Sequence, residues 1–154
     1  MPEAENEASK WASLLKKLKF FEVFTIEELT DLLHHGVVKR FEMHKHVFRE
    51  GDEAKSFYVI IKGRVNVTKK DHFESNKILS VLHEGDCFGE LAFLLDVKRQ
   101  ANIIPIVDSF IFRINAEELE RLEESFRGKF YKQLSVALAQ KLKDFNITAL
   151  HSLY

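Results

Sequence analysis

This chain of 154 residues is short of several things, and each shortage excludes a class of protein. It has one cysteine, Cys87, so no intramolecular disulfide framework is open to it, and its fold must rest on a buried core. A single thiol fits a reducing compartment, and Cys87 is expected to pack as a small core hydrophobe. Two prolines and six glycines are too few for a collagenous or low-complexity chain. No apolar run approaches the ~18 residues of a membrane span. The first ten residues, MPEAENEASK, lack the basic and apolar regions of a secretory signal; they read as a frayed tail, and a cytoplasmic location is expected. The formal net charge is −1, so no global basic field draws in nucleic acid.

What is present is enough for one domain with a full core: 45% of the residues are hydrophobic, and fourteen are phenylalanine. Trp11, Leu14, Leu15 and Leu18 recur at helical spacing. Thr25 and Glu28 make a capping box, so a second helix is expected from about residue 26, with Leu29, Leu32 and Leu33 on its apolar face and His34 and His35 favouring its C-terminal dipole. From Val37 the hydrophobic period falls to two. About eight short strands are expected, broken at Gly51, Gly63 and Gly85, with Pro105 on an edge or at a bulge and residues 69–77 as a solvated hairpin loop. Asn115 and Glu118 mark another helix start, and residues 126–150 read as mainly helical. In that tail Phe130, Leu134, Leu138, Leu142, Phe145 and Ala149 form one apolar stripe, suited to packing on the barrel, to a dimer seam or to a lid. Its basic residues, Arg127, Lys129, Lys132, Lys141 and Lys143, read as a solvated face. The order helices, strands, helices gives a mainly β fold with flanking α: an antiparallel β-roll or jelly roll (a double-stranded β-helix) with N-terminal helices and a C-terminal helix.

The chemistry concentrates in FGELAFLLDVKRQA, residues 88–101, where an apolar stretch carries Glu90 and is followed by Arg99. A glycine-led turn into a short helix leaves amides without acceptors. A carboxylate can accept hydrogen bonds from a diol, and a guanidinium can pair with phosphate oxygens. That set suits a sugar phosphate with one negative charge, and equally an internal Glu90–Arg99 ion pair. Elsewhere, His44, His46 and Glu50 are metal-ligand types, but Ser56 stands where a barrel metalloprotein of the cupin type would have its carboxylate, and no metal is expected. No nucleophile motif frames the Ser, His and Asp residues, so the chain is expected not to be an enzyme.

Residues 88–102 resemble the phosphate-binding cassette of cyclic nucleotide-binding domains, whose pattern is roughly F-G-E-L-A-L-L, a short loop, then P-R-x-A-[ST]. REGD at 49–52, FYVIIKGRVNV, EGDCFGE and the early FFEVFTIEELTDLL extend the resemblance over residues 18–125. It implies a cyclic nucleotide-binding β-roll at 18–125, after an N-terminal tail and short helix at 1–17 and before a C-terminal helix at 126–154 acting as lid or dimer contact. Within it, Glu90 would hold the ribose 2′-hydroxyl and Arg99 the cyclic phosphate. The amides of Leu91, Ala92 and Gln100 would supply further contacts, and Gly89 would permit the close approach. Val67 and Leu79 would line the base pocket, and Phe130 or Tyr131 would touch the base from the C-terminal helix. Lys98 replaces the family's usual proline, Gln100 follows the arginine, and Asn102 replaces a Ser or Thr. A threonine after the arginine often serves guanine binding in the family, so the resemblance implies cAMP in preference to cGMP. Too few residues follow the long helix for a winged helix-turn-helix. The expectation is therefore a stand-alone sensor, signalling through its C-terminal helix to a protein partner or by self-association. The rival expectation is a ligand-free interaction module with an internally paired cassette.

Overall fold

The structure, a computed structural model, describes the backbone of residues 2–153 and the side chains of residues 6–145. In chain order the elements are α1 (Pro2–Lys16), a 3-10 turn (Lys19–Phe21), α2 (Ile26–His35), β1 (Val37–Phe41), β2 (Ser56–Lys62), β3 (Val65–Lys70), β4 (Asn76–Leu82), β5 (Cys87–Phe88), α3 (Glu90–Leu94), β6 (Asn102–Pro105), β7 (Ser109–Asn115), α4 (Ala116–Leu119) and α5 (Glu124–Leu153). The capping box forms as the sequence predicts: the Glu28 amide donates to Thr25 Oγ1 at 3.1 Å, and the Thr25 amide donates to Glu28 Oε1 at 2.9 Å. The first residues are not frayed as expected. Pro2 opens α1, and the stretch that follows is rich in Ala, Glu and Lys, which favour helix.

The strands form two antiparallel sheets, β1-β7-β2-β5 and β4-β3-β6. Pro105 ends β6, an edge strand, where its missing N–H costs no ladder bond. Among the described residues seven strands form rather than about eight. The run 42–48 is interrupted at His44, which takes a left-handed φ of +69°, and only Phe48 bridges to Ile103. The chain turns from β3 to β4 at Asp71, whose carboxylate accepts from the amides of Phe73 and Ser75.

Strand β2 is buried on both faces, and its two sets of alternating side chains enter two cores. Tyr58 and Ile60 point between the sheets with Phe41, Phe48, Val65, Phe88, Ile103 and Ile111. Phe57, Val59 and Ile61 point to the helices, meeting Phe20, Phe21, Phe24, Phe93, Phe126 and Phe130. That second core clamps α5 to the roll: Phe130 packs with ring centroids 5.4 Å from Phe20, 5.4 Å from Phe57 and 6.1 Å from Phe93 of α3. The tail stripe is buried only as far as Leu138. Leu142 and Phe145 are exposed, and Ala149 lies outside the described side chains.

Cys87 is buried, and burial pushes its thiol up to about 11. An acid with a raised folded pKa contributes stability that is whole below its ordinary value and lost as pH rises through the folded one. The melting temperature should therefore fall between pH 9 and pH 11 more steeply in the wild type than in Cys87→Ala, as a series of thermal melts would measure.

Candidate functional site

Gly89 makes the site possible. It sits between β5 and α3 with φ +81°, a region that L side chains avoid. A Cβ there would come within 2.8 Å of the Ser56 carbonyl oxygen and 2.9 Å of Arg99 Nη1. The backbone can therefore lie directly against the guanidinium.

Arg99 is only 3% exposed. Its Nη1 donates to the Gly89 carbonyl at 3.2 Å and its Nη2 to the Ser56 carbonyl at 3.0 Å. Its Cζ lies 4.1 Å from the ring centroid of Phe48 and 5.7 Å from that of Tyr58, which itself stacks on Phe88 at 4.9 Å. Burial lowers its pKa, with Tyr58 and Asp52 opposing. Its Nε is buried and has no partner among the described residues. A guanidinium remains charged even when buried, and among the described residues no carboxylate forms an ion pair with it, Asp52 and Glu90 acting only from beyond contact.

The internal Glu90–Arg99 ion pair of the rival expectation does not form; Arg99 donates to backbone carbonyls instead. Glu90, 9% exposed, faces α5, where Lys141 Nζ donates to its Oε1 at 2.7 Å and to the Cys87 carbonyl at 2.6 Å. Glu90 and Arg99 border one cavity of about 370 Å³, within the range of small-molecule sites. Gly89, Leu91, Ala92, Gln100 and Val67 also line it, so seven of the eight cassette and strand residues singled out in the sequence meet there.

Leu79 is the exception and is corrected here: it is 59% exposed and does not line the cavity. The reason is the register: Val67 pairs with Ser80, and side chains alternate along β4, so Leu79, next to Ser80, points to the opposite face. Ser80 and Leu82 face the cavity instead. Phe130 and Tyr131 are corrected as well. Phe130 is wholly buried in the helical core, and the Tyr131 hydroxyl donates to Glu120 Oε1 at 2.8 Å, so neither lines the cavity. From α5 it is Lys141 and Asp144 that do.

The basic face of the tail is not simply solvated. Arg127 pairs with Glu120 at 3.0 Å, Lys129 with Glu28 at 2.8 Å and Lys141 with Glu90. Lys141 had no local signal, because its partner lies 51 residues away in sequence. Phe48 and Tyr58 carried a weak one, as aromatics near the REGD turn. His44 lies in a loop rather than on a strand. His46 Nε2 is 3.3 Å from Arg49 Nη1, and its pKa is lowered by burial and by that neighbour, surroundings that disfavour a second cation. Among the described residues no group of three or more His, Cys, Asp or Glu is placed to hold a metal, and no helix is long and apolar enough to cross a membrane.

Comparison with known proteins agrees with this geometry. The chain is 24% identical over 134 residues to human cGMP-dependent protein kinase 2, covering 81% of this chain and 18% of the kinase. It is 31% identical over 123 residues to the cAMP-dependent protein kinase regulatory subunit of Dictyostelium discoideum, covering 70% of this chain and 37% of that one. The chain thus spans well under half the length of these relatives. In structure it resembles a cyclic nucleotide-binding domain from Methylobacillus flagellatus, with TM-score 0.83 and 18% identity, covering 97% of this chain and 85% of the other. A family model for the cyclic nucleotide-binding domain matches residues 38–126, over half of the chain. With that match, the chain belongs to the cyclic nucleotide-binding domain family.

Proposed function

We propose that this domain is a sensor that binds one cyclic mononucleotide, cAMP in preference to cGMP, in the cavity between α3, the Arg99 loop and α5. The observation that carries the reading is Arg99: a guanidinium 3% exposed, seated on Phe48, bordering the cavity and holding an Nε without a partner. Such a group is costly to bury unless an anion joins it, and a cyclic phosphate supplies one negative charge and oxygens for a planar fork. Glu90 accepts the ribose 2′-hydroxyl, and the amides of Leu91, Ala92 and Gln100 take the remaining oxygens. Val67 lies against the base. The preference for cAMP rests on Gln100, which stands where a threonine would serve guanine and whose Nε2 donates to the Lys98 carbonyl at 2.8 Å.

Ligand alters the contact between the cassette and α5 and so changes the surface that α5 offers. Such a shift requires ligand to bind one position of α5 more tightly than the other. Val136, Leu142 and Phe145 are exposed on this helix and support a role for it in contacting a protein partner or a second copy of the chain. The domain acts by binding rather than catalysis, and its single cysteine supports a cytoplasmic setting.

One observation favours a second reading, that of a docking module without ligand: Glu90 already has a partner, in Lys141. A thermal-shift titration of ligand-stripped protein with cAMP, cGMP and AMP separates the two. Ligand at 100 times its dissociation constant adds about 2.7 kcal/mol, which raises the melting temperature by several degrees. A rise with a cyclic nucleotide and none with AMP is expected. Flat curves at millimolar concentration would leave the module reading in its place.

A further inference from the structure

Helix α5 is held to the roll differently along its two halves. Its first half is fixed by burial: Phe126, Phe130 and Leu134 lie in the helical core, Lys129 pairs with Glu28, and Gln133 Nε2 donates to the Phe20 carbonyl at 3.0 Å. Past Leu138 the apolar anchors end, with Leu142 61% and Phe145 68% exposed. There the helix reaches the roll through Lys141, whose ammonium binds the Cys87 carbonyl of β5 and the Glu90 carboxylate of α3 together.

We propose that Lys141 is a built-in competitor for the ribose site, occupying Glu90 in the empty domain and giving way to the ribose 2′-hydroxyl. This rests on the reading of Glu90 as the ribose acceptor. An ammonium and a hydroxyl are both donors, and Glu90 has little open surface from which to receive both. Arriving ribose therefore displaces Lys141, and the distal half of α5 loses the Lys141 tie to α3 and β5. Departing ribose lets the ammonium return. The same exchange sets affinity and reports occupancy, because the one lysine links the acceptor in the cavity to the far end of the helix. The Lys141 side chain is 40% exposed, so solvent screens its end of the pair and the competitor is weak enough to be displaced.

The test is calorimetric titration of the wild type, Lys141→Gln and Lys141→Arg with cAMP and with 2′-deoxy-cAMP, repeated with the cGMP pair. Deuterium exchange of residues 137–145 without ligand accompanies it. Lys141→Gln should bind the ribose nucleotide about 3- to 10-fold more tightly, the gain of removing an ion pair worth roughly 1 kcal/mol. It should bind the 2′-deoxy form, which has no hydroxyl for Glu90, no more tightly than the wild type does. Its distal α5 amides should exchange faster, and Lys141→Arg should keep wild-type behaviour. If the wild type binds and Lys141→Gln binds equally or more weakly, Lys141 is not a competitor, while the sensor reading survives. If no variant binds any cyclic nucleotide, both readings fall.

Discussion

Arg99→Ala should lower cyclic nucleotide affinity by at least about 100-fold, since a buried, charge-assisted contact to an anion contributes about 3 kcal/mol. The loss follows from where the guanidinium sits. Water has been removed from it, its Nη atoms are aligned by the carbonyls of Gly89 and Ser56, and its plane is set by Phe48. The donors are thus oriented before ligand arrives, and little ordering cost remains at binding. Arg99→Lys should recover only part of the affinity, because a point charge does not reproduce the fork. Glu90→Ala should weaken binding by roughly 10-fold, the value of one hydrogen bond to a charged acceptor. The ligand-free melting temperature of Arg99→Ala should stay within a few degrees of wild type, since the substitution also removes an uncompensated buried charge. Titration calorimetry and thermal melts on the same preparations check both parts, and an Arg99→Ala protein that binds as well as wild type would refute this assignment.

The second large effect is on stability. Phe130→Ala should destabilise the domain by about 3–5 kcal/mol, the usual cost of emptying a large aromatic site in a core. Phe130 is fully buried and touches rings from four parts of the fold: Phe20 in the 3-10 turn, Phe57 in β2, Phe93 in α3 and Phe126 in its own helix. The helices around it cannot close the space without pulling α5 off the sheet. Urea unfolding should show a lower midpoint with little change in slope. Because Phe93 belongs to α3, the same substitution should also loosen the cassette and weaken nucleotide binding, although Phe130 does not line the cavity. By contrast, Phe145→Ala, at an exposed position, should leave stability nearly unchanged.

The contrast between these phenylalanines shows what the sequence could and could not reveal. Helix α2 was legible because its signal is local: Thr25, Glu28 and the leucine spacing act within one turn. The cassette was legible because its glycine, acid and arginine lie within a dozen residues and match a family pattern. The place of Leu79 is not legible, because which face of β4 meets the cavity is decided by its register on β3, Val67 against Ser80, rather than by local composition. The partner that Glu90 takes in α5 is not legible in the sequence for a similar reason. Glu90 and Arg99 are near in sequence, but the β5–α3 turn directs one side chain to α5 and the Arg99 loop directs the other to the aromatic floor. Lys141 looked like one more solvated lysine until the roll brought α3 beneath it.

Equilibrium dialysis of ligand-stripped protein against labelled cAMP and labelled cGMP tests the central claim most directly. The account predicts one nucleotide bound per chain for cAMP, displaced by unlabelled cyclic nucleotide and not by AMP, with the binding lost in Arg99→Ala. No retained label from either nucleotide at millimolar concentration, or retention that Arg99→Ala leaves intact, would contradict it.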